Sequence, residues 1–191
     1  MPEDPPDRQA ILAAGAELFD EVGFHNATMG SIAERAGLGK TDVYAMFRAK
    51  HDILYAIHDE WIDELLAAGR ATIRPDCSVR DTIRQCFHDI FAVIHAMPSG
   101  VRAYFENFRD LPPDLQRLAK AKRDIYEAQV EGLLRRGIDE GVLRPQNARV
   151  AALGLFGMCN WAYRWYRPGG AMSHQQIATQ LGEIYLAGIT A

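Results

Sequence analysis

Apolar residues recur at intervals of three and four along almost the whole chain, the spacing that places side chains on one face of a helix. The first such stripe contains Ile11, Leu18, Phe19 and Val22 and ends at Gly23. No stretch alternates between apolar and polar residues in the way that a half-buried strand does. The pattern therefore predicts an all-α fold.

Capping residues and helix breakers divide this pattern into nine helices, three short ones at the front and six longer ones behind. Thr28 is a predicted N-cap, Gly37 ends the helix that follows, and another short helix is predicted from about Lys40 to Phe47. A long helix is predicted from Lys50 to about Ile73. Proline and glycine clusters separate the remaining five helices.

The segment from Met29 to Val43 has the residue types that a helix-turn-helix requires. Ala33 is small where a second helix would cross closely, and Gly37 lies at the turn, where a positive φ is favoured. Val43 supplies an aliphatic seal between the two helices. A generic helical hairpin with a glycine at its turn has the same features, so the spacing alone leaves both interpretations open.

Charge and composition are permissive of DNA binding without indicating it. The 191 residues are 48% hydrophobic and 24% charged, and the formal net charge of -4 gives no general attraction to phosphates. Between Thr28 and Lys50, however, there are four basic residues and two acidic ones. The local charge of this segment therefore allows contact with DNA.

The start of the chain, the length of its apolar runs and its cysteines predict a cytoplasmic protein that does not associate with membranes. The start, MPEDPPDR, lacks the basic and apolar stretches of a signal peptide, and the longest apolar run, residues 150–159, is too short to span a bilayer. Cys77, Cys86 and Cys159 are scattered and lack CxxC spacing, which indicates neither a disulfide framework nor a zinc site.

The stretch from Arg8 to Ile57 resembles the DNA-binding region of the TetR family of transcription regulators. This resemblance implies a DNA-binding helix-turn-helix domain over residues 1–50 and an effector-binding and dimerisation domain over residues 51–191. The nine-helix plan is also similar to that family. The matching positions are Ile11 to Ala14, Leu18-Phe19, Gly23-Phe24, Thr28, Ile32-Ala33, Ala36-Gly37, Tyr44, Phe47, Lys50 and Ile53-Leu54.

The resemblance further implies a set of DNA contacts around the second short helix. Thr28, Tyr44 and Lys50 would reach phosphates, because helix N-termini and polar side chains suit them. Lys40 is the candidate for reading a guanine edge, and Asp42 would either accept from a cytosine amino group or face solvent. The complete predicted set is Thr28, Gly39, Lys40, Thr41, Asp42, Tyr44 and Lys50.

This segment also departs from the family's pattern. Thr41-Asp42-Val43 stands where the family often has glycine-threonine-leucine, which brings a carboxylate near the duplex. Ala49 replaces the usual serine before Lys50, so the sequence predicts a poorly capped fourth helix.

Aromatic residues on the middle helices are candidates for an apolar effector pocket. Stripes of this kind are often simply core, but the family encloses its effector with helices four to seven, and as a group they fit that pattern. His88 and His95, seven residues apart, are interpreted as neutral rings lining a core or pocket, and no metal or cofactor is predicted. The predicted pocket residues are Trp61, Phe87, Phe91, Tyr104, Phe105, Phe108 and Tyr126.

The rear of the chain carries small residues three apart followed by large aromatics, which favours close helix contact between two copies. Two recognition helices separated by one turn of duplex, ~34 Å, would read a palindrome. The same tail, together with Arg117 to Tyr126, resembles a TetR branch that responds to acyl-CoA thioesters. The predicted dimer residues are Gly154, Gly157, Trp161, Trp165, Ile177, Leu181, Ile184 and Tyr185.

The sequence thus predicts a homodimeric repressor that an apolar small molecule, such as an acyl-CoA, releases from a palindromic operator on double-stranded DNA. The alternatives are an activator, a regulator without an effector, and a helical ligand carrier or enzyme. No enzymatic activity is predicted. Gly39-Lys40-Thr41 matches the end of a P-loop, but Glu34 occupies the position of its first glycine, and a helix precedes it instead of a strand.

Overall fold

The computed structural model of the protein describes residues 6–191. Most of the acidic, proline-rich start, and with it the beginning of the predicted domain over residues 1–50, lies outside the described residues. The helices in chain order are α1 (Pro6–Glu21), α2 (Met29–Ala36), α3 (Lys40–Met46), α4 (Lys50–Thr72), α5 (Val79–Ala96), α6 (Pro98–Asn107), α7 (Pro113–Asp139), α8 (Ala148–Asn160), α9 (Ala162–Trp165) and α10 (His174–Ile189).

The all-α prediction and the nine-helix plan are confirmed. Over residues 6–191 there are nine helices of seven residues or more, to which the four-residue α9 and a 3-10 turn at Phe108–Asp110 are added. Within this range the β-structure is limited to an isolated bridge between Leu143 and Thr190. The additional helix α9 follows α8 almost directly, in a segment where the sequence predicted one continuous helix.

The described chain forms two compact units whose limits differ from the predicted boundary after residue 50. One unit runs through Trp61 and includes Ser99–Lys120, and the other contains Ile62–Pro98 and Ala121–Ala191. The first half of α4, α6 from Ser99 onwards and the start of α7 are thus grouped with the front helices. The sequence could not predict this grouping, because α6 is remote in the chain from the helices that it joins.

Each unit has its own apolar core. In the first unit Ile11, Ile32 and Ile53 are fully buried, and in the second Ile83 and Phe87 are. None of the helices within the described part of the chain is long and apolar enough to cross a membrane.

Candidate nucleic-acid interface

Helix α2 is fixed at both ends by local hydrogen bonds. At its start the Thr28 hydroxyl accepts from the Ser31 N–H at 3.0 Å, and the Ser31 hydroxyl accepts from the Thr28 N–H at 3.0 Å, which is a capping box. At its end Gly37 has φ +71°, and the next N–H, that of Leu38, donates to the Ala33 carbonyl at 2.9 Å. The predicted cap and the predicted turn glycine are therefore confirmed.

Helix α3 is sealed against the core on one side and begins with a cap from its own side chain. Val43 is fully buried, as the helix-turn-helix pattern predicts. The Asp42 carboxylate accepts from the Gly39 N–H at 3.3 Å. A carboxylate at a helix start is favoured by the unpaired N–H groups and the helix dipole. The structure thus gives Asp42 a capping role that the sequence analysis did not consider.

The opposite side of α3 is exposed and polar. Lys40 and Thr41 are exposed, and Tyr44 keeps 53% of its surface accessible. The Lys40 side chain crosses over Gly30 at the start of α2, where a Cβ would lie 2.9 Å from Lys40 Cε and 3.7 Å from the Thr28 hydroxyl oxygen. Thr28 and Lys40 therefore flank Gly30, whose lack of a side chain leaves room for the Lys40 stem. The sequence did not indicate this role of Gly30.

Lys50 binds the loop between α1 and α2. Its ammonium donates to the carbonyls of Phe24, His25 and Ala27 at 2.6, 3.0 and 3.0 Å, and it lies 4.6 Å from the centroid of the Phe24 ring. An ammonium has three N–H groups, so all of them are engaged within the chain. The phosphate contact predicted for Lys50 is untested, and these hydrogen bonds favour a role in holding the loop instead.

The start of α4 lacks an N-cap side chain, as predicted, but Asp52 stabilises it. The Asp52 carboxylate accepts from the N–H groups of Arg48 and Ala49 at 3.1 and 3.0 Å. The Ala49 side chain cannot accept from the first N–H groups of the helix, whereas Asp52 supplies the reciprocal half of a capping box. An acidic residue in the first turn was the signal that could have found this cap.

Ion pairs connect α1 to other parts of the first unit. Arg35 of α2 contacts Glu17 and Glu21 at 3.1 and 2.9 Å, and its hydrogen bond to Glu21 lowers the pKa of that carboxyl. Arg102 of α6 donates to both carboxylate oxygens of Asp20 at 2.8 and 2.9 Å, and both side chains are about four-fifths buried. Arg35, one of the four basic residues between Thr28 and Lys50, is therefore already paired with carboxylates of α1.

The predicted effector residues fall into two sets, one in each unit. In the first unit Trp61, Tyr104, Phe105 and Phe108 form one aromatic cluster with the fully buried His58, whose ring stacks on Tyr104 with centroids 4.2 Å apart. This cluster fills the space between α4 and α6 within that unit.

In the second unit the predicted aromatic residues contact different partners. Phe87 packs against Tyr185 with ring centroids 5.6 Å apart, and Tyr126 packs against Phe156 at 5.8 Å. Phe91 lies 6.4 Å from the ring of Tyr166.

The two histidines expected to line a core or pocket lie nearer the surface than that interpretation implies. His95 is exposed, its Nδ1 is 2.7 Å from the Tyr166 hydroxyl, and its ring stacks on His174 with centroids 4.1 Å apart. His88 is half-buried, with Nε2 3.3 Å from the Thr179 hydroxyl. Among the residues that the structure describes, no group of three or more candidate ligands could hold a metal ion.

The predicted dimer residues divide into exposed and buried ones. Trp161, Trp165 and Ile184 keep 59%, 47% and 63% of their surface accessible. Ile177 and Tyr185, by contrast, are buried in the chain itself. They therefore lie beneath the surface of α10 and could not form the outer face that was expected of them.

An apolar face on α8 and α10 extends further than predicted, because Val150 and Leu153 are also 66% and 50% exposed. Gly154 and Gly157 lie exposed among them, which permits close approach of another surface. Beside this face is a cavity of about 450 Å³ whose lining includes Leu181. We refer to Val150, Leu153, Gly154, Gly157, Trp161, Trp165 and Ile184 as the α8–α10 face.

Two protein-family matches together cover most of the chain. The family described as "Bacterial regulatory proteins, tetR family" matches residues 11–57, and the one described as "Tetracyclin repressor-like, C-terminal domain" matches residues 76–189. The transcriptional activator FasR of Mycolicibacterium smegmatis is 30% identical over 155 residues, which cover 81% of this chain and 69% of FasR.

Two further proteins are similar over nearly the full length. The transcriptional repressor KstR2 of Mycobacterium tuberculosis is 27% identical over 96% of this chain and 92% of its own. The solved structure of that ketosteroid regulator superposes with a TM-score of 0.86, at 25% identity over 96% and 95% of the two chains. AibR, solved with isovaleryl coenzyme A and operator DNA, has the same fold, with a TM-score of 0.81 at 21% identity over 93% and 97% of the two chains.

Proposed function

The chain belongs to the TetR family and is a DNA-binding transcription regulator, and from this premise we propose that it is a homodimeric repressor released from a palindromic operator by an apolar effector. We assign DNA binding to residues 1–50 and effector binding with dimerisation to residues 51–191. Its place of action would be the cytoplasm, where bacterial DNA lies. The matched relatives are named as regulators of transcription, which favours this function over an enzyme or a ligand carrier.

The observation that carries the proposal is the exposed polar edge of α3. Lys40, Thr41 and Tyr44 are exposed on a short helix whose Val43 is fully buried. A recognition helix needs this division, because one side must be fixed to the protein while the other enters the major groove. Lys40 lies across Gly30 beside the capped start of α2, where Thr28 is available to a phosphate.

The α8–α10 face supports the homodimer. Trp161, Trp165 and Ile184 leave large apolar surfaces in water, and a second copy of the same face would cover them. A two-fold dimer presents two α3 helices, which is why a palindromic operator is expected.

The direction of regulation and the class of effector follow from different relatives. Repression is favoured because the match to the repressor KstR2 covers more of both chains than the match to the activator FasR does. An activator, or a regulator without an effector, is the alternative. An acyl-CoA is the first effector to test, since AibR is a protein of the same fold solved with one.

The test is a salt titration of DNA binding by fluorescence anisotropy, with DNA flanking the protein's own gene. Lys40→Ala should weaken binding about ten- to hundredfold and reduce discrimination against altered operators, because a base contact is lost. Tyr44→Phe should weaken binding to all sequences alike, because its hydroxyl is assigned to a phosphate. Long-chain acyl-CoA should release the DNA.

Arg80→Ala is the matched control, because it removes an exposed positive charge at the start of α5 instead of α3. It should bind like the wild type. Equal losses in Arg80→Ala and Lys40→Ala would mean that α3 does not read the operator. Tighter binding on addition of acyl-CoA would favour the opposite direction of regulation.

A further inference from the structure

Two buried tyrosines in the second unit differ in how their hydroxyl groups are satisfied. The Tyr185 hydroxyl donates to the Ala151 carbonyl at 2.7 Å. Tyr126 is 2% exposed, yet its hydroxyl has only the thiol of Cys86 beside it, which is a weak hydrogen-bonding group. No other residue in the described part of the chain satisfies the Tyr126 hydroxyl.

Two more buried oxygen atoms in this region lack a partner among the described residues: Oδ2 of Asp89 on α5 and Oε1 of Gln129 on α7. The other carboxylate oxygen of Asp89 accepts from the Gln85 amide at 2.7 Å. Gln129 and Tyr126 both contact Gly69 of α4, where a Cβ would lie 2.5 Å from Gln129 Oε1 and 3.2 Å from the Tyr126 ring.

The Tyr126 hydroxyl, the Cys86 thiol and the Asp89 carboxyl lie close enough to influence one another. Burial raises the pKa of the Tyr126 hydroxyl, and the neighbouring Cys86 and Asp89 raise it further. Burial also raises the pKa of the Asp89 carboxyl. Phe156 and Cys159 of α8 bound the same region on its apolar side.

Buried polar atoms are almost always paired in folded proteins, because leaving one without a partner reduces stability. Three such oxygens on α5 and α7 form an acceptor-rich patch in apolar surroundings. A molecule that belongs there needs an apolar body and at least one donor. A ligand carboxylate would bring a second negative charge towards Asp89 and is disfavoured.

We propose that Tyr126, Asp89 and Gln129 form the polar end of the effector site, and that the effector carries an amide N–H or a hydroxyl on an otherwise apolar body. The donor binds the free oxygen of Asp89, with Gln129 as a further acceptor, while the Tyr126 hydroxyl donates to an adjacent ligand oxygen. This inference rests on the proposed effector function and names the chemistry of its ligand.

The test measures ligand binding to the full-length protein by calorimetry, without DNA. Decanamide and N,N-dimethyldecanamide have the same acyl chain, but only the first has N–H donors. The wild type should bind decanamide at least about tenfold more tightly than the dimethyl amide, and more tightly than decanoate. 1-Decanol supplies a hydroxyl donor, so the tighter of decanol and decanamide identifies the donor that the site prefers.

Asp89→Asn should reduce the tenfold preference to about threefold or less, because it replaces the charged acceptor of the ligand N–H with a neutral amide. Tyr126→Phe should weaken both amides by a similar factor, because both have the carbonyl oxygen to which the hydroxyl donates. Tyr185→Phe is the matched control, since it removes a buried hydroxyl that is already satisfied. It should lower the melting temperature and keep the wild-type preference. Tyr126→Phe should keep or raise the melting temperature.

Three results would overturn the inference: no preference for a donor in the wild type, a preference unchanged in Asp89→Asn together with unchanged amide affinity in Tyr126→Phe, or a loss of stability in Tyr126→Phe equal to that in Tyr185→Phe. The proposed function would survive any of them if acyl-CoA still released DNA. It would fail separately if Lys40→Ala left operator binding unchanged.

Discussion

The helix pair α2–α3 and the second unit differ in how far polar groups are paired, and apolar side chains covered, within the chain itself. Both short helices have a capped start, from Thr28 and from Asp42, and the exposed edge of α3 is polar. In the second unit large apolar side chains such as Trp161 are exposed, while oxygens such as Asp89 Oδ2 are buried without a partner among the described residues.

On the functions proposed above, this difference separates a surface that is ready to bind DNA from a region that an effector would complete. A DNA reader must keep its shape before it meets the duplex, and the local caps of α2 and α3 provide that. A sensor must gain stability when its ligand arrives, which requires that something be left unsatisfied beforehand.

The largest expected effect comes from placing a charge on the α8–α10 face. Trp161→Glu should convert the proposed dimer to a monomer in sedimentation experiments, because a carboxylate would have to be desolvated at the proposed interface. Operator affinity should fall by at least about a hundredfold, since a single α3 contacts only half of a palindrome.

Ile125→Glu is the control for this change, because Ile125 is an apolar residue of α7 with 53% exposure, close to the 59% of Trp161. It should remain a dimer. Dissociation of the protein by Ile125→Glu but not by Trp161→Glu would place the self-associating surface on α7. The α8–α10 face would then not be the dimer interface.

An intermediate effect is expected at Lys50, whose ammonium donates to three carbonyls of the α1–α2 loop. Lys50→Met should lower the free energy of unfolding in urea by about 1.5–3 kcal/mol, the usual cost of hydrogen bonds to a charged group. The slope of operator affinity against salt should stay unchanged. A stable variant whose salt slope falls by about one would instead identify Lys50 as a phosphate contact.

The smallest effect concerns the stacked rings of His95 and His174. Burial first, and then the neighbouring His95 and His88, lower the pKa of His174. The unfolded chain therefore binds a proton more readily than the folded one, so this contribution to stability is present above pH ~6.5 and is lost as the pH falls towards the folded pKa. The melting temperature of the wild type should decrease between pH 7.5 and pH 5.5 for this reason.

His174→Gln should show a smaller decrease over the same interval when both proteins are followed by circular dichroism. The variant would also lose the ring stacking, so its melting temperature at pH 7.5 serves as the reference from which its own decrease is measured. Parallel curves for the two proteins would exclude His174 as the titrating group.

The parts of the fold that were predictable depend on short-range patterns. Thr28, Gly37 and Val43 act through residues three to six positions away, and a sequence displays such relations directly. The partners of Lys50 lie 23 to 26 residues earlier, and the pairing of Arg102 with Asp20 spans 82 residues. Contacts of that kind depend on how the helices pack, which spacing does not encode.

The α8–α10 face was predicted only in part for a different reason. α8 is apolar over most of its circumference, and on α10 the buried Ile177 and the exposed Ile184 are seven residues apart on one apolar stripe. The helical period therefore does not distinguish the side facing the core from the outer side. Ile177 and Tyr185 were therefore assigned to the outer surface although they are buried, while the exposed Val150 and Leu153 were missed.

The crossing of Lys40 over Gly30 has a consequence for how operator preference can change. A side chain at position 30 would occupy the space of the lysine stem, with Cβ 2.9 Å from Lys40 Cε. The ammonium would then have to leave the start of α2, although the reading helix itself would be unaltered. On the proposed role of Lys40, a substitution at position 30 would therefore change operator preference from a position outside α3.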